Sequence, residues 1–304
     1  MSFIKQGKVK DVYSTDLPQI LEFRFSNRIS VFDKIIPTEI PDKGATLCQT
    51  STYWFNEAEK LGINTHFIDN PSPNSMRVLE VDIIPDYSKI TPTTTDYLIP
   101  LEWIARYNVA GSLHDRLQRG ETKPETLGFS SGYQPKLGEE LPKSFFEVTT
   151  KLEKVDRPVT KQEALKIGGL TEDEWNEIWK QTYSIDERIN QRVREKGLIH
   201  ADGKKEWAFD EERNPILVDT FGTPDEDRFW DLGSYRQGKL VELSKEFVRQ
   251  HYRQTGYHDK LMESRKKGLP EPDIPPLPED IVQKTRKIYI DLTERMTGST
   301  FVPA

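Results

Sequence analysis

Asp202, Lys204 and Glu206 occupy every second position of the run Asp202-Gly203-Lys204-Lys205-Glu206-Trp207, and Asp219 follows after a polar turn. Alternate positions of a β-strand share a face. The apolar-rich runs 198–209 and 216–221 flank the polar stretch 210–215, which is a hairpin pattern. A symmetric turn pairs Phe209 with Ile216 and Trp207 with Val218, and sets Glu206 directly opposite Asp219. Like charges so placed repel. One arrangement that offsets the repulsion is a divalent cation such as Mg²⁺, held by the two carboxylates and completed by phosphate oxygens and water. The other is neutralisation by Lys204 and Lys205 on a face turned to solvent. The hairpin alone leaves both open. The turn signal Thr223-Pro224-Asp225 then delivers Arg228 just beyond the carboxylates. An arginine fork suits bidentate recognition of phosphate or carboxylate. A metal pair beside a phosphate anchor is the chemistry of a nucleotide site.

The elements that must position these residues follow from periodicity. Gly7-Lys8-Val9-Lys10-Asp11-Val12-Tyr13 alternates as a strand with Lys8 and Lys10 on one face, suited either to phosphate oxygens or to blocking a sheet edge. Strands are also expected over 21–25 and 76–84, and a helix over 46–61 that stops at Gly62. Asp33 ends the loop 26–33, where an Asx turn is an alternative to a binding role. His66 opens a short strand and reads as packing. The stretch 114–142 is polar and irregular, as lids and binding loops are. Thr160 with Glu163, and Thr171 with Glu174, are capping boxes that start two helices. The second carries a core stripe of Trp175, Ile178, Trp179, Thr182, Ile185, Ile189 and Val193. An amphipathic helix is expected over 239–254, a proline-rich connector over 269–278 and a last helix over 279–296.

The 304 residues suffice for one large domain or two lobes. A net charge of -7 argues against nucleic acid or an anionic membrane as the main partner. Cys48 is the sole cysteine, so an intramolecular disulfide and a cysteine zinc site are excluded, which suits a reducing cytoplasm. The opening MSFIKQGKVKDVY lacks the apolar core of a signal peptide, and no run approaches the roughly 18 apolar residues of a membrane span.

The motifs, in order, resemble the SAICAR synthetase (phosphoribosylaminoimidazole-succinocarboxamide synthase) family. Its G-K-x-[RK]-x-x-Y opening is matched at Gly7 to Tyr13, and its S-D-R-I-S-A-F-D and I-P-G-K-G segments at Ser26 to Asp33 and Ile40 to Gly44. The I-P-L-E-x-V-V-R-G-Y-x-x-G-S segment is matched from Ile99 to Ser112. T-P-S-T-K-x-E meets Thr150, Lys151 and Glu153, without the His-Asp pair that follows it in the family. D-x-K-x-E-F-G, L-I-D-E and T-P-D-S-S-R-F-W are matched at Asp202 to Trp207, Leu217 to Thr220 and Thr223 to Trp230, with Asn27, Val31 and Thr220 departing from the family's residues.

The resemblance implies an α+β, two-lobed fold, with a β-rich lobe over 1–99, an α/β lobe over 100–304 and ATP in the cleft between them. It implies ligation of L-aspartate to carboxyaminoimidazole ribonucleotide (CAIR) at the expense of ATP, through an acyl phosphate. ATP contacts are then expected from Lys8, Lys10, Leu98 and Glu102, and substrate contacts from Asp33, Arg106, Ser112, Lys151 and Arg228. Asp202 and Lys204 are the expected catalytic residues, and Glu206 and Asp219 the Mg²⁺ ligands. The partners are these small molecules, with a homo-oligomer left open. A paralogous ligase with another acid or amine, and a silent nucleotide-binding protein, are the alternatives.

Overall fold

The computed structural model describes residues 1–304. Two large antiparallel sheets, one two-stranded sheet and eight α-helices make up the fold. The first sheet uses β1 (Ser2–Gln6), β2 (Lys10–Ser14), β3 (Ile20–Phe25), β6 (Phe67–Ser72) and β7 (Ser75–Leu79), in the order β1-β2-β3-β7-β6. A small hairpin, β4 (Ser30–Val31) and β5 (Lys34–Ile35), follows β3. The second sheet has the order β10-β9-β8-β11-β12, with β13 also paired to β11. Its strands are β8 (Tyr97–Asn108), β9 (Glu140–Thr150), β10 (Pro158–Val159), β11 (Leu198–Phe209), β12 (Pro215–Val218) and β13 (Arg228–Asp231).

Helices α1 (Lys43–Lys60), α2 (Gly111–Gln118), α3 (Lys161–Gly168) and α4 (Glu172–Glu195) lie between strands; α5 (Leu232–Arg236), α6 (Glu246–Gln254), α7 (Tyr257–Lys267) and α8 (Glu279–Thr297) end the chain. The Thr171–Glu174 capping box forms in full, and Thr160 accepts from the Glu163 amide. The core stripe of α4 lies on β11, and the indole N–H of the wholly buried Trp207 donates to Thr182 Oγ1 at 3.0 Å.

One apolar core joins the two sheets. Phe25, Met76 and Val78 from the first sheet and Leu47 from the first helix share it with Trp103, Ile178, Trp207 and Tyr289. The division expected after residue 99 falls inside β8, which runs unbroken through it. Pro100 is accommodated there because the β8–β11 register shifts between Glu206 and Ala208, and a proline in a sheet interior needs such an irregularity.

Other boundaries move for local reasons. The expected strand over 7–13 is the turn and return strand of a β1–β2 hairpin, because Gly7 N–H bonds Lys10 C=O at 2.9 Å and closes a tight turn. The helix expected over 239–254 begins only at Glu246: Leu243 N–H bonds Phe229 C=O and Asp231 N–H bonds Val241 C=O, so 239–245 lies along β13 instead. Helix α2 begins at Gly111, buries its own Leu113 and runs on to Gln118, into the stretch 114–142 expected to be irregular.

Candidate active site

The β11–β12 hairpin forms, but one residue out of the expected register. Arg213 takes a left-handed φ of 64° and Asn214 N–H donates to Asp210 Oδ1 at 2.7 Å, so residues 211–213 make a three-residue loop. Glu206 therefore pairs with Val218 and Trp207 with Leu217, and Asp219 lies past the end of β12. A one-residue slip sends side chains to the opposite face. Asp219 escapes this because it too is left-handed, with φ 63°, and its side chain lines the same cavity as Glu206 and Val218. His66 Nε2 lies 3.3 Å from the Asp219 carbonyl oxygen. Burial, and then Lys10, lower the His66 pKa to about 3, so the ring is neutral and donates to that carbonyl. His66 packs on Phe23 and Phe55 as well, so it is both core and brace.

The cavity has a volume of about 420 Å³ and lies between the two sheets. Ile4, Val12, Leu21, Leu79 and Leu98 are among its apolar lining; Lys10, Lys151, Glu206 and Asp219 form its charged end at β11 and β12, and Lys5, Glu80 and Asp82 also line it. Lys10 Nζ pairs with Asp219 and stands 4.2 Å from the Phe23 ring centroid. Burial opposes ionisation of Asp219, but Lys10, Lys151 and Lys204 outweigh it and hold the carboxyl far below the usual range. Lys151 Nζ is 2.6 Å from Glu206 Oε2. Lys204 Nζ meets Glu102 at 2.9 Å, Glu206 at 2.8 Å and Glu226 at 3.1 Å. Burial alone would lower the Lys204 pKa, yet these carboxylates raise it well above the ordinary value and favour the charged ammonium.

Two expected ATP ligands stand apart from the cavity wall. Lys8, in the β1–β2 turn, pairs with Asp33 at 2.8 Å, and both side chains are more than half exposed. Glu102 faces Lys204 and Thr149 rather than the cavity.

Beyond Lys204 the same face of β11 reaches a guanidinium cluster. Arg228 Nη1 donates to both oxygens of Asp202, at 2.9 and 2.6 Å, and Arg106 Nη1 to Asp202 Oδ2 at 3.2 Å. Arg106 also reaches Ser112 Oγ at 3.1 Å, so Arg106, Ser112 and Arg228 meet as expected. Asp202, one of the expected catalytic residues, is held by both guanidiniums. Burial would raise its pKa, but Arg228 and Arg106 outweigh that and lower it. A carboxylate clamped by two guanidiniums is a poor base and a good brace.

Sequence reasoning missed three contributors here. Helix α2 starts at Ala110, which offers no side-chain cap, so its first amides are free to meet an anion beside Ser112. Gly111 lets the Arg228 guanidinium pack against this turn, where a Cβ would collide with its Cζ at 2.5 Å. Glu147 binds Arg106 at 2.6 Å and Arg116 at 2.8 Å, and so fixes the fork. The Leu113 and Leu117 pair at i, i+4 was the available signal for α2.

On the opposite face of β11, Lys205 pairs with Asp186 and, at 3.4 Å, with Asp227, whose Oδ2 lies 2.8 Å from His200 Nε2. All four side chains are wholly buried. Lys205 thus belongs to the core and does not neutralise the Glu206–Asp219 pair, as the hairpin pattern had allowed. Asp186 sits on the α4 face read as apolar and has no counterpart in a period-based reading.

A family model for SAICAR synthetase matches residues 3–264. The chain belongs to the SAICAR synthetase family. It is 55% identical to the phosphoribosylaminoimidazole-succinocarboxamide synthase of Thermoplasma acidophilum, and 52% identical to that of Thermoplasma volcanium, in each case over 98% of this chain and 99% of the relative. Among solved structures, SAICAR synthase from Saccharomyces cerevisiae complexed with SAICAR aligns with a TM-score of 0.71 at 28% identity, covering 98% of this chain and 95% of that one. A type-2 SAICAR synthetase in complex with ADP shares the fold, with a TM-score of 0.68 at 24% identity, covering 97% and 98% of the two chains. The α+β class expected of a SAICAR synthetase is the class observed.

Proposed function

We infer that this chain is a phosphoribosylaminoimidazole-succinocarboxamide synthase, which ligates L-aspartate to the carboxylate of CAIR in purine biosynthesis while ATP is cleaved to ADP and phosphate. The carrying observation is that one face of β11 runs from Asp202 in a guanidinium cluster, past Lys204, to Glu206 at the charged end of an apolar cavity. A purine fits the apolar part, and its phosphates then meet Lys10 and Lys151. The ribonucleotide phosphate meets Arg106, Arg228, Ser112 and the α2 amides. The two substrates are thereby held with the CAIR carboxylate and the terminal phosphoryl group on either side of Lys204.

A carboxylate is a poor electrophile, so it is first phosphorylated to an acyl phosphate and then attacked by the amine. Lys204, Lys151 and Lys10 stabilise the negative charge on the transferring group. Glu206 and Asp219 are hard oxygen donors at the charged end, the donor set that suits Mg²⁺, and the lysines now on them are free to turn to phosphate oxygens. When bound there, the ion would neutralise charge on the phosphates and orient them. Asp202 orients the two arginines. Asp33, paired with the exposed Lys8, is assigned to the aspartate side in this reading. In this reading the first sheet is the ATP-covering lobe, Leu98 lines the base pocket and Glu102 acts through Lys204. No helix is long and apolar enough to cross a membrane; a cytoplasmic enzyme is the setting that matches its substrates.

Coupled ADP release tests the assignment. Turnover is expected only when CAIR, L-aspartate and ATP are all present. ADP release with a different acid–amine pair and none with this one, or nucleotide binding with no turnover at all, would overturn it.

A further inference from the structure

Amide formation requires a proton acceptor that the roles above leave unassigned. L-Aspartate arrives as an ammonium, and its nitrogen attacks only as a free amine. The carboxylates facing the reaction centre are nearly all committed. Asp202 holds two guanidiniums, Glu206 has a lysine on each oxygen, Asp219 has Lys10, and Glu102 has Lys204 and Thr149. Asp219, with only one oxygen on Lys10, is assigned to the metal, which leaves Glu226 without a role. The Glu226 Oε2 stands 3.1 Å from Lys204 Nζ, no partner holds its other oxygen, and its side chain is 20% exposed.

The backbone presents this residue with little freedom. Glu226 N–H and Asp227 N–H both bond Thr223 C=O, at 3.1 and 2.9 Å. Its neighbours on each side are locked in the interior. Asp225 binds Lys43 at 2.9 Å, Lys245 at 3.5 Å and the Tyr289 hydroxyl at 2.6 Å. Asp227 binds His200 and Lys205. Two buried anchors thus turn the one carboxylate between them toward Lys204.

We propose that Glu226 is a catalytic base that takes the proton from the aspartate nitrogen as it attacks the acyl phosphate. The C–N bond forms, the C–O bond to phosphate breaks, and phosphate leaves with the bonding electron pair. Of the three ammonium protons, one stays on the amide nitrogen, one leaves with the phosphate as its monohydrogen form, and one passes through Glu226 to solvent. Lys204 stays charged throughout and stabilises the departing oxyanion beside it.

The inference rests on the acyl-phosphate reading, and hydroxylamine separates the two. Hydroxylamine is a neutral nucleophile near neutral pH and traps an acyl phosphate as a hydroxamate without help from a base. In Glu226→Gln, kcat with saturating L-aspartate is expected to fall about 100-fold or more, the usual scale of general-base catalysis, and the residual rate to climb with pH as free amine accumulates. Hydroxamate formation from CAIR and ATP is expected to stay within about twofold of the parent, because the phosphorylation step is untouched. Equal loss with both nucleophiles would overturn the base assignment, as would an unchanged aspartate rate. Asp156, on the loop after β9, is the comparison: a selective aspartate defect in Asp156→Asn with a normal Glu226→Gln would also overturn it. Absence of hydroxamate in the parent enzyme would instead remove the acyl phosphate itself.

Discussion

Arg228→Ala measures the anion cluster with the least ambiguity. In the structure Arg228 Nη1 holds both oxygens of Asp202, Nη2 reaches Glu246 at 3.4 Å, and Nε is buried without a partner. Its side chain is only 18% exposed, so what it binds is bound in a poorly solvated place. A hydrogen bond to a charged group contributes about 1.5–3 kcal/mol, which converts to a rise of about 10- to 150-fold in the CAIR KM at 1.36 kcal/mol per decade. The apolar cavity proposed for ATP is lined by other residues, so the ATP KM should move less than about threefold. Arg228→Lys keeps the charge and loses the fork, and should recover only part of the affinity. Steady-state kinetics in both substrates, with thermal unfolding to confirm that the variants are folded, make the check. A CAIR KM that does not change, or an ATP KM that rises in step with it, would refute the placement of the ribonucleotide phosphate.

Asp219→Asn should leave the protein folded and abolish turnover at any Mg²⁺ concentration, read by circular dichroism and ADP release; normal activity would remove it from the metal pair. Gly203→Ala should destabilise the protein by about 2–4 kcal/mol in denaturant titration, the scale of overpacking in a buried core, since its Cβ would meet His200 Nε2 at 2.6 Å; an unchanged midpoint would show that the buried cluster behind β11 is slack. Glu242 supplies a pH test. Burial pushes its pKa up from 4.5 to about 7, although Trp230 Nε1–H donates to it at 2.8 Å. The native state holds this proton where the unfolded chain has lost it, so stability is full below the unfolded pKa and declines as pH rises through the folded one. The decline should amount to about 3 kcal/mol at 1.36 kcal/mol per pH unit. Comparing denaturation midpoints across that range, Glu242→Gln should be flatter than the parent; parallel curves would discount the shift.

Much of this site was legible because strand alternation is a strong constraint. Asp202, Lys204 and Glu206 do share a face, and Arg106, Ser112 and Arg228 do converge, although they come from β8, α2 and β13. What escaped depends on single backbone conformations. The left-handed turn at Arg213 slid the hairpin register, and the left-handed Asp219 restored the carboxylate to the cavity by a route that alternation does not encode. The buried charges Asp186, Lys205, Asp227 and Lys43 were invisible for a different reason. Periodicity counts a charged residue as solvent-facing, whereas each of these is held inside by a partner distant in sequence. The late start of α6 belongs to the same class, since 239–245 has helical composition but is recruited to β13 by backbone pairing.

The central claim is that Glu206 and Asp219 grip the metal of an ATP seated between the two sheets. A crystal structure with Mg²⁺ and a non-hydrolysable ATP analogue measures this most directly. The account predicts the base against Leu98 and Leu21, the phosphates on Lys10 and Lys151, and the ion bound by both carboxylates. A nucleotide bound elsewhere, or an ion that touches neither carboxylate, would contradict it.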